Sequence, residues 1–242
     1  MTDREVRGHG ISFCLSCLGV FMESETVAKA ASEGQGEVFL VALAGLIAEA
    51  EKEVFVDPLS GLRNRKFFDR QLLVEATRAV EGIPLAALLL DLDGFKGAND
   101  KYGHLAGDRV LADFASILRR EVRRGDFPAR VGGDEFGVIL PGASREGVLA
   151  LAQRVIAGVK AHRFKSHEDE AVAGIGVSGG YAVYPDDTGS HQRRADAARL
   201  ASTLFDLADR ALYAAKSGGK ARVVGYSETK EAREEKKETA DA

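Results

Sequence analysis

The sequence predicts an α+β domain built on a largely antiparallel sheet with the element order βαββαβ. Three observations predict it. Leu85 to Leu92 is a near-continuous apolar run of strand length, and it delivers Asp91 and Asp93 at its C-terminal end. Phe127–Val131 and Phe136–Leu140 are two shorter runs around Gly132-Gly133-Asp134-Glu135, the pattern of a hairpin. Between these runs the apolar residues repeat at helical steps.

Residues 1–56 carry no strand pattern. Leu43, Ile47, Ala50 and Val54 recur at steps of 4, 3 and 4, which predicts a helical stalk from Val38 to Phe55. Asp57-Pro58 ends it, because a residue before proline avoids the α region. Phe68, Leu72 and Ala76 then mark a helix. After the Leu85–Leu92 strand, Val110, Leu111, Phe114, Ile117, Leu118 and Val122 mark the next helix. The hairpin follows, then a helix carrying Val148, Leu151, Ala152, Val155, Ile156 and Val159. A strand within Gly174–Tyr184 is closed by Pro185-Asp186-Asp187. Leu200, Leu204, Leu207, Ala208, Ala211, Leu212 and Ala215 mark a last helix, and Arg222–Tyr226 reads as an edge strand. The stretch 227–242 alternates charges without an apolar stripe and reads as a solvated, flexible tail. The core from Leu85 to Tyr184 is a ferredoxin-like βαββαβ unit with its helices on one face, and the main domain spans 57–226.

Composition excludes several classes. With 242 residues, 45% hydrophobic and 29% charged, the chain is globular, neither a disordered segment nor a filament. A net charge of −4 argues against a nucleic-acid binder. Two cysteines exclude a disulfide scaffold. The most apolar stretches, Ile11–Met22 and Val38–Ala50, are shorter than the roughly 20 residues a bilayer needs, so no membrane insertion is expected and a cytoplasmic location is the default. Cys14-Leu15-Ser16-Cys17 is one C-x-x-C without a second pair. It suits ordinary buried thiols, with half of a shared metal site or a redox switch as alternatives.

Chemistry concentrates in two places. A buried strand ending in carboxylates is costly unless they meet a cation, and hard divalent ions favour carboxylate together with phosphate oxygens. The segment Asp91 to Asp108 could equally be an acidic turn. A calcium loop fails, because Phe95 occupies the third ligand position and no glutamate closes the loop. The hairpin tip lies beside the strand that ends at Asp91 and can bring Asp134 and Glu135 towards it. Gly132 and Gly133 leave room for a ligand near the backbone.

These residues resemble the GGDEF family, the diguanylate cyclases. Gly132-Gly133-Asp134-Glu135-Phe136 resembles its signature loop, and Asp57-Pro58-Leu59-Ser60-Gly61-Leu62-Arg63-Asn64-Arg65 its opening motif, with Ser60 where Thr is usual. Asp91 through Asp108 resembles its D-x-D-x-F-K-x-x-N-D-x-x-G-H-x-x-G-D segment, and Ala208 through Lys216 its last-helix motif. The resemblance covers about Asp57 to Tyr226 and implies a nucleotidyl cyclase or polymerase-palm-like fold. It implies condensation of two GTP to cyclic di-GMP and two pyrophosphates, with Mg²⁺ or Mn²⁺ as cofactor. Asp91, Asp134 and the Leu92 carbonyl would hold the metal, and Glu135 would be a further catalytic carboxylate. Asn99 and Asp108 would read guanine, with Phe95, Gly132 and Gly133 lining the nucleotide. Lys96, Lys216 and Lys220 would meet phosphates, although Lys216 and Lys220 also suit a helix C-terminus simply as charges. Arg123 and Asp126 resemble the R-x-x-D site at which the cyclic product inhibits; in isolation they are an exposed ion pair. His104 reads as a structural hydrogen-bonder.

Two departures stand out. Gly219-Lys220-Ala221-Arg222 replaces the usual Gly-Arg-Asn-Arg, keeping charge but losing a bidentate grip. Ser178-Gly179-Gly180-Tyr181-Ala182 replaces Ser-Ile-Gly-Val-Ala, a change expected to loosen that strand. The intact acidic residues favour an active cyclase over the alternative, a catalytically silent receptor for GTP or cyclic di-GMP. A two-fold symmetric product made from one GTP per domain implies a homodimer.

Overall fold

The computed structural model describes residues 45, 50, 52–188 and 197–229. The chain divides into two units, Met1–Val56 and Asp57–Ala242, and the sheet lies wholly in the second. In the first, residues 52–55 are helical, with the Val56 N–H donating to the Lys52 carbonyl. Leu43, Ile47, Cys14, Cys17 and the tail beyond 229 lie outside the described residues.

The second unit runs β1 (Arg63–Asn64), α1 (Arg65–Ala79), β2 (Leu85–Asp93), α2 (Phe95–Tyr102), α3 (His104–Glu121), β3 (Phe127–Arg130), β4 (Glu135–Pro141), α4 (Arg145–Ala161), β5 (Gly176–Tyr184), α5 (Ala197–Ser217) and β6 (Val223–Gly225). The strand order is β1-β3-β4-β2-β5-β6. The inner pairings β3–β4, β4–β2 and β2–β5 are antiparallel; only the short outer strands pair in parallel. The βαββαβ core is therefore present, with the hairpin strand β4 directly beside β2.

β2 is buried along its whole length, as a central strand covered on both faces must be. Its even residues Ala86, Leu88, Leu90 and Leu92 pack with α3 and α4 residues such as Phe114, Ile117 and Val155. Its odd residues Leu85, Ala87 and Leu89 pack with Phe68 and Leu72 of α1 and with Leu204 and Ala208 of α5. The two core helices share one face, as expected, and α1 and α5 cover the other. Asp91 and Asp93 continue the odd register, so they emerge on the α5 side.

The expected loosening of β5 is not observed. Gly179-Gly180-Tyr181 sits inside an unbroken, buried nine-residue strand. A Cβ at Gly180 would strike the Ala208 carbonyl and the Leu212 backbone of α5, so this glycine lets helix and sheet meet backbone to backbone. Tyr181 is fully buried and fills the opposite face. Among the described residues no helix is long and apolar enough to cross a membrane.

Candidate active site

β2 and the hairpin tip build the site together. Asp91 lies directly opposite Glu135 in the β2–β4 ladder, so both side chains leave the same face. One residue on, the Leu92 N–H donates to the Asp134 carbonyl at 3.2 Å, tying the tip to the strand end. The tip closes on itself, with the Val131 and Gly132 N–H groups both donating to the Glu135 carbonyl. At Gly132 a Cβ would come within 2.6 Å of the Glu135 carboxylate, so a larger residue there would have to displace that side chain. Gly133 faces open space.

A brace invisible in the sequence holds this tip. Arg130 donates through Nε and Nη2 to the Gly133 carbonyl at 3.0 and 2.7 Å, and through Nη1 to Asp57 at 3.2 Å. Asp57 in turn accepts the Ser60 N–H at 2.7 Å, closing the turn of the opening motif. These bonds keep the Asp57 carboxyl below its ordinary range, against the opposing effect of its burial.

Lys216, in the last turn of α5, reaches back to Asp91, Nζ to Oδ2, at 2.6 Å. Burial pushes the Asp91 carboxyl up; Lys216 pulls it down without cancelling that, and the charges of Asp134 and Glu135 push it up further. Lys216 loses some charge stabilisation to burial, but Asp91, Glu135 and Asp134 outweigh it and hold its pKa above the ordinary value. Lys216 thus pairs with Asp91 while Asp134 and Glu135 add two more negative charges nearby, leaving an excess of negative charge. Among the described residues no group of three His, Cys, Asp or Glu side chains forms a metal cage by itself. Hard carboxylate oxygens in excess, open to added phosphate oxygens, fit Mg²⁺ or Mn²⁺ bound jointly with a substrate.

The expected loop after β2 is instead a helix, α2, entered through Gly94 at φ +78°. Asn99 on α2 is half-buried, and its Oδ1 is buried with no hydrogen-bond partner among the described residues. It sits against Gly107 of α3, where a Cβ would strike the Asn99 amide and the Phe95 ring. Phe95 packs on the core, while Asp108, next after Gly107, is exposed. Lys96 and Lys220 are exposed as well. Asn99 and Asp108 therefore stand on two helices packed at Gly107. The Asn99 acceptor, unpaired and held by a glycine cradle, suits a ligand donor.

Arg123 and Asp126 lie at the far end of β3 from the tip, a strand length of roughly 13 Å away. They bind each other: Arg123 Nε and N–H donate to the Asp126 carboxylate at 3.1 and 3.2 Å, and Arg123 Nη2 donates to the Pro141 carbonyl at 2.8 Å. Asp93, read in the sequence beside Asp91, turns away from that cluster to Ser178 and the Ala221 N–H.

Comparison with protein families matches residues 54–222 to the family described as Diguanylate cyclase, GGDEF domain. The chain belongs to the GGDEF family. It is 36% identical over 178 residues to the diguanylate cyclase DgcP of Pseudomonas aeruginosa, covering 73% of this chain and 25% of that protein. The chain spans only 14% to 35% of the length of the first curated relatives it matches. Among solved structures it resembles the GGDEF domain of DgcB from Caulobacter crescentus in complex with c-di-GMP. The TM-score is 0.63 at 32% identity, covering 72% of this chain and 96% of that one. The coiled coil and GGDEF domain of the same protein, also in complex with c-di-GMP, gives 0.69 at 29% identity, covering 82% and 99%.

Proposed function

We propose that this GGDEF chain is an active diguanylate cyclase, converting two GTP to cyclic di-GMP and two pyrophosphates in the cytoplasm. The observation that carries this reading is the carboxylate cluster of Asp91, Asp134 and Glu135, under-neutralised by Lys216, at the point where β2 meets the hairpin tip. In each of two equivalent steps the 3′-oxygen of one GTP bonds to the α-phosphorus of the other. The bond from that phosphorus to the bridging oxygen breaks, pyrophosphate leaves, and the hydroxyl proton is lost to water.

Asp91, Asp134 and the Leu92 carbonyl would hold Mg²⁺ or Mn²⁺, which when bound neutralises phosphate charge and makes the attacking hydroxyl more acidic. Lys96, Lys216 and Lys220 take the triphosphate, offsetting charge on the departing pyrophosphate. Glu135 adds a carboxylate to the same face. Asn99 and Asp108 orient guanine, with Gly107 holding the Asn99 amide in place and Phe95, Gly132 and Gly133 beside the nucleotide. An aspartate accepts from both N1–H and the 2-amino group, a donor pair that adenine lacks. Arg123 and Asp126 take the cyclic product as an inhibitor, which requires their mutual pair to open.

Each domain holds one GTP, so turnover needs a homodimer with two sites facing across a two-fold axis. Incubating the full chain with GTP and Mg²⁺ should yield cyclic di-GMP by mass, and ATP should yield little product. Deleting residues 1–56 should lower activity at dilute protein and restore it at high concentration, since a tether supplies an effective concentration on the order of millimolar. No product from GTP, or specific activity independent of concentration in a monomeric deletion variant, would overturn the corresponding part.

A further inference from the structure

The last two odd residues of β2 address different ends of one structural problem. Asp91 meets Lys216 within the last turn of α5. Asp93, two residues on and 8% exposed, bonds past the end of that helix. Its carboxylate accepts the Ser178 hydroxyl at 2.8 Å and the Ala221 N–H at 2.9 Å, and the same N–H lies 3.1 Å from Ser178 Oγ. The turn it holds is strained. Gly219, Lys220 and Ala221 have φ of +114°, +64° and +46° in succession, and two of them carry a Cβ. A non-glycine residue in this region is strained and persists only where surrounding bonds enforce it.

We propose that Asp93 is a positioning residue for the triphosphate: it clamps the strained Gly219-Lys220-Ala221 turn to the end of β2 and so fixes where Lys220 presents its ammonium. This rests on the cyclase reading, in which Lys220 meets phosphate. Asp93 itself touches neither nucleotide nor metal, because its oxygens already take donors from β5 and from the turn. Lys96 and Lys216 are carried on helices that hold their own shape. Lys220 lies past the end of α5, where its N–H still donates to the Ala215 carbonyl at 3.2 Å, and the buried Asp93 carboxylate ties the next residue, Ala221, to the sheet. The turn also departs from the family's Gly-Arg-Asn-Arg at the clamped position. Asn tolerates positive φ better than Ala, and here it is Ala221 that holds φ +46°.

The test uses the full chain and 3′-deoxy-GTP, which binds but cannot condense. Asp93→Ala should weaken 3′-deoxy-GTP binding about tenfold in calorimetry, as loss of a charge-assisted bond predicts. GMP binding and the Mg²⁺ midpoint at saturating nucleotide should not move. In a Lys220→Ala background the same change should cost less than about twofold, since residues acting through one group are not additive. If Asp93→Ala fails to fold, Ser178→Ala serves: it removes one bond of the clamp and should give a smaller loss with the same dependence on Lys220. A shifted Mg²⁺ midpoint, or an equal loss with and without Lys220, overturns the proposal. So does unchanged 3′-deoxy-GTP binding in Asp93→Ala alongside normal wild-type binding. A wild-type chain that does not bind 3′-deoxy-GTP overturns the cyclase reading itself, and this proposal with it.

Discussion

The two ends of β3 hold the same kinds of side chain in opposite states. At the tip end, Asp91 pairs with Lys216 while the charges of Asp134 and Glu135 act on both, and the group remains short of positive charge. At the other end, Arg123 and Asp126 bind each other, and the Pro141 carbonyl takes one further guanidinium donor. The difference is one of readiness. The tip would lower its energy by gaining positive charge, so it needs to break nothing of its own to take a cation. The Arg123–Asp126 pair must first give up its own bonds, so a ligand there has to offer both a donor face and an anion to compensate.

Asp134→Asn breaks the tip end and has the largest expected effect. Turnover should fall by about a hundredfold or more with the melting temperature unchanged, because on the proposed reading a metal-ligand charge is lost at a half-buried position. Product formation near the wild-type rate would remove Asp134 from the site. Arg130→Ala tests whether the tip is held or merely present. It removes both bonds to the exposed Gly133 carbonyl and leaves Asp57 without its cationic partner, so stability should drop by about 1 kcal/mol. Turnover should fall more than GTP affinity, and an unaltered kcat would mean that the tip needs no brace.

Arg123→Ala sharpens the other end. Progress curves should run to higher product before slowing, with cyclic di-GMP binding weaker by roughly tenfold or more, while initial rates stay as in wild type. Curves that overlay wild type would make the pair purely structural. The smallest effect concerns Lys216. Its folded pKa lies above the ordinary 10.5, so its ion pair contributes stability that is fully present below about pH 10.5 and lost as pH rises through the folded value. In Lys216→Met, denaturation midpoints from pH 9 to 11 should lack that decline, within the small scale of a partly exposed pair. An identical pH slope in both proteins would exclude Lys216 as its source.

How far the sequence could be read depended on the range of the interactions involved. The core strands and four long helices were legible because burial imposes a period on nearby residues, as in Leu85–Leu92 and Leu200–Ala215. Helix α2 was not, since Gly97, Asn99 and Asp100 are poor helix formers and only Ala98 is buried. β1 is two residues long, too short to carry any period. At the site, the acids and lysines stood out by type and spacing, but their couplings did not. Asp57 and Arg130 are 73 positions apart, and Asp93 and Ala221 are 128 apart. Neither pairing leaves a local trace. Gly107 was visible as a glycine, yet the reason for it, an amide lying where its Cβ would be, exists only once α2 and α3 pack.

The flanks of the sheet have a consequence of a different kind. β1 offers two residues and β6 three, so neither border presents a backbone ladder long enough for another chain to extend. Two copies of this domain cannot fuse into one continuous sheet. Among the described residues, contacts between two copies would fall to side chains and loops rather than to a shared ladder. On the proposed cyclase reading, nucleotide lying between two copies would then serve as the adhesive, and output would follow how often they meet.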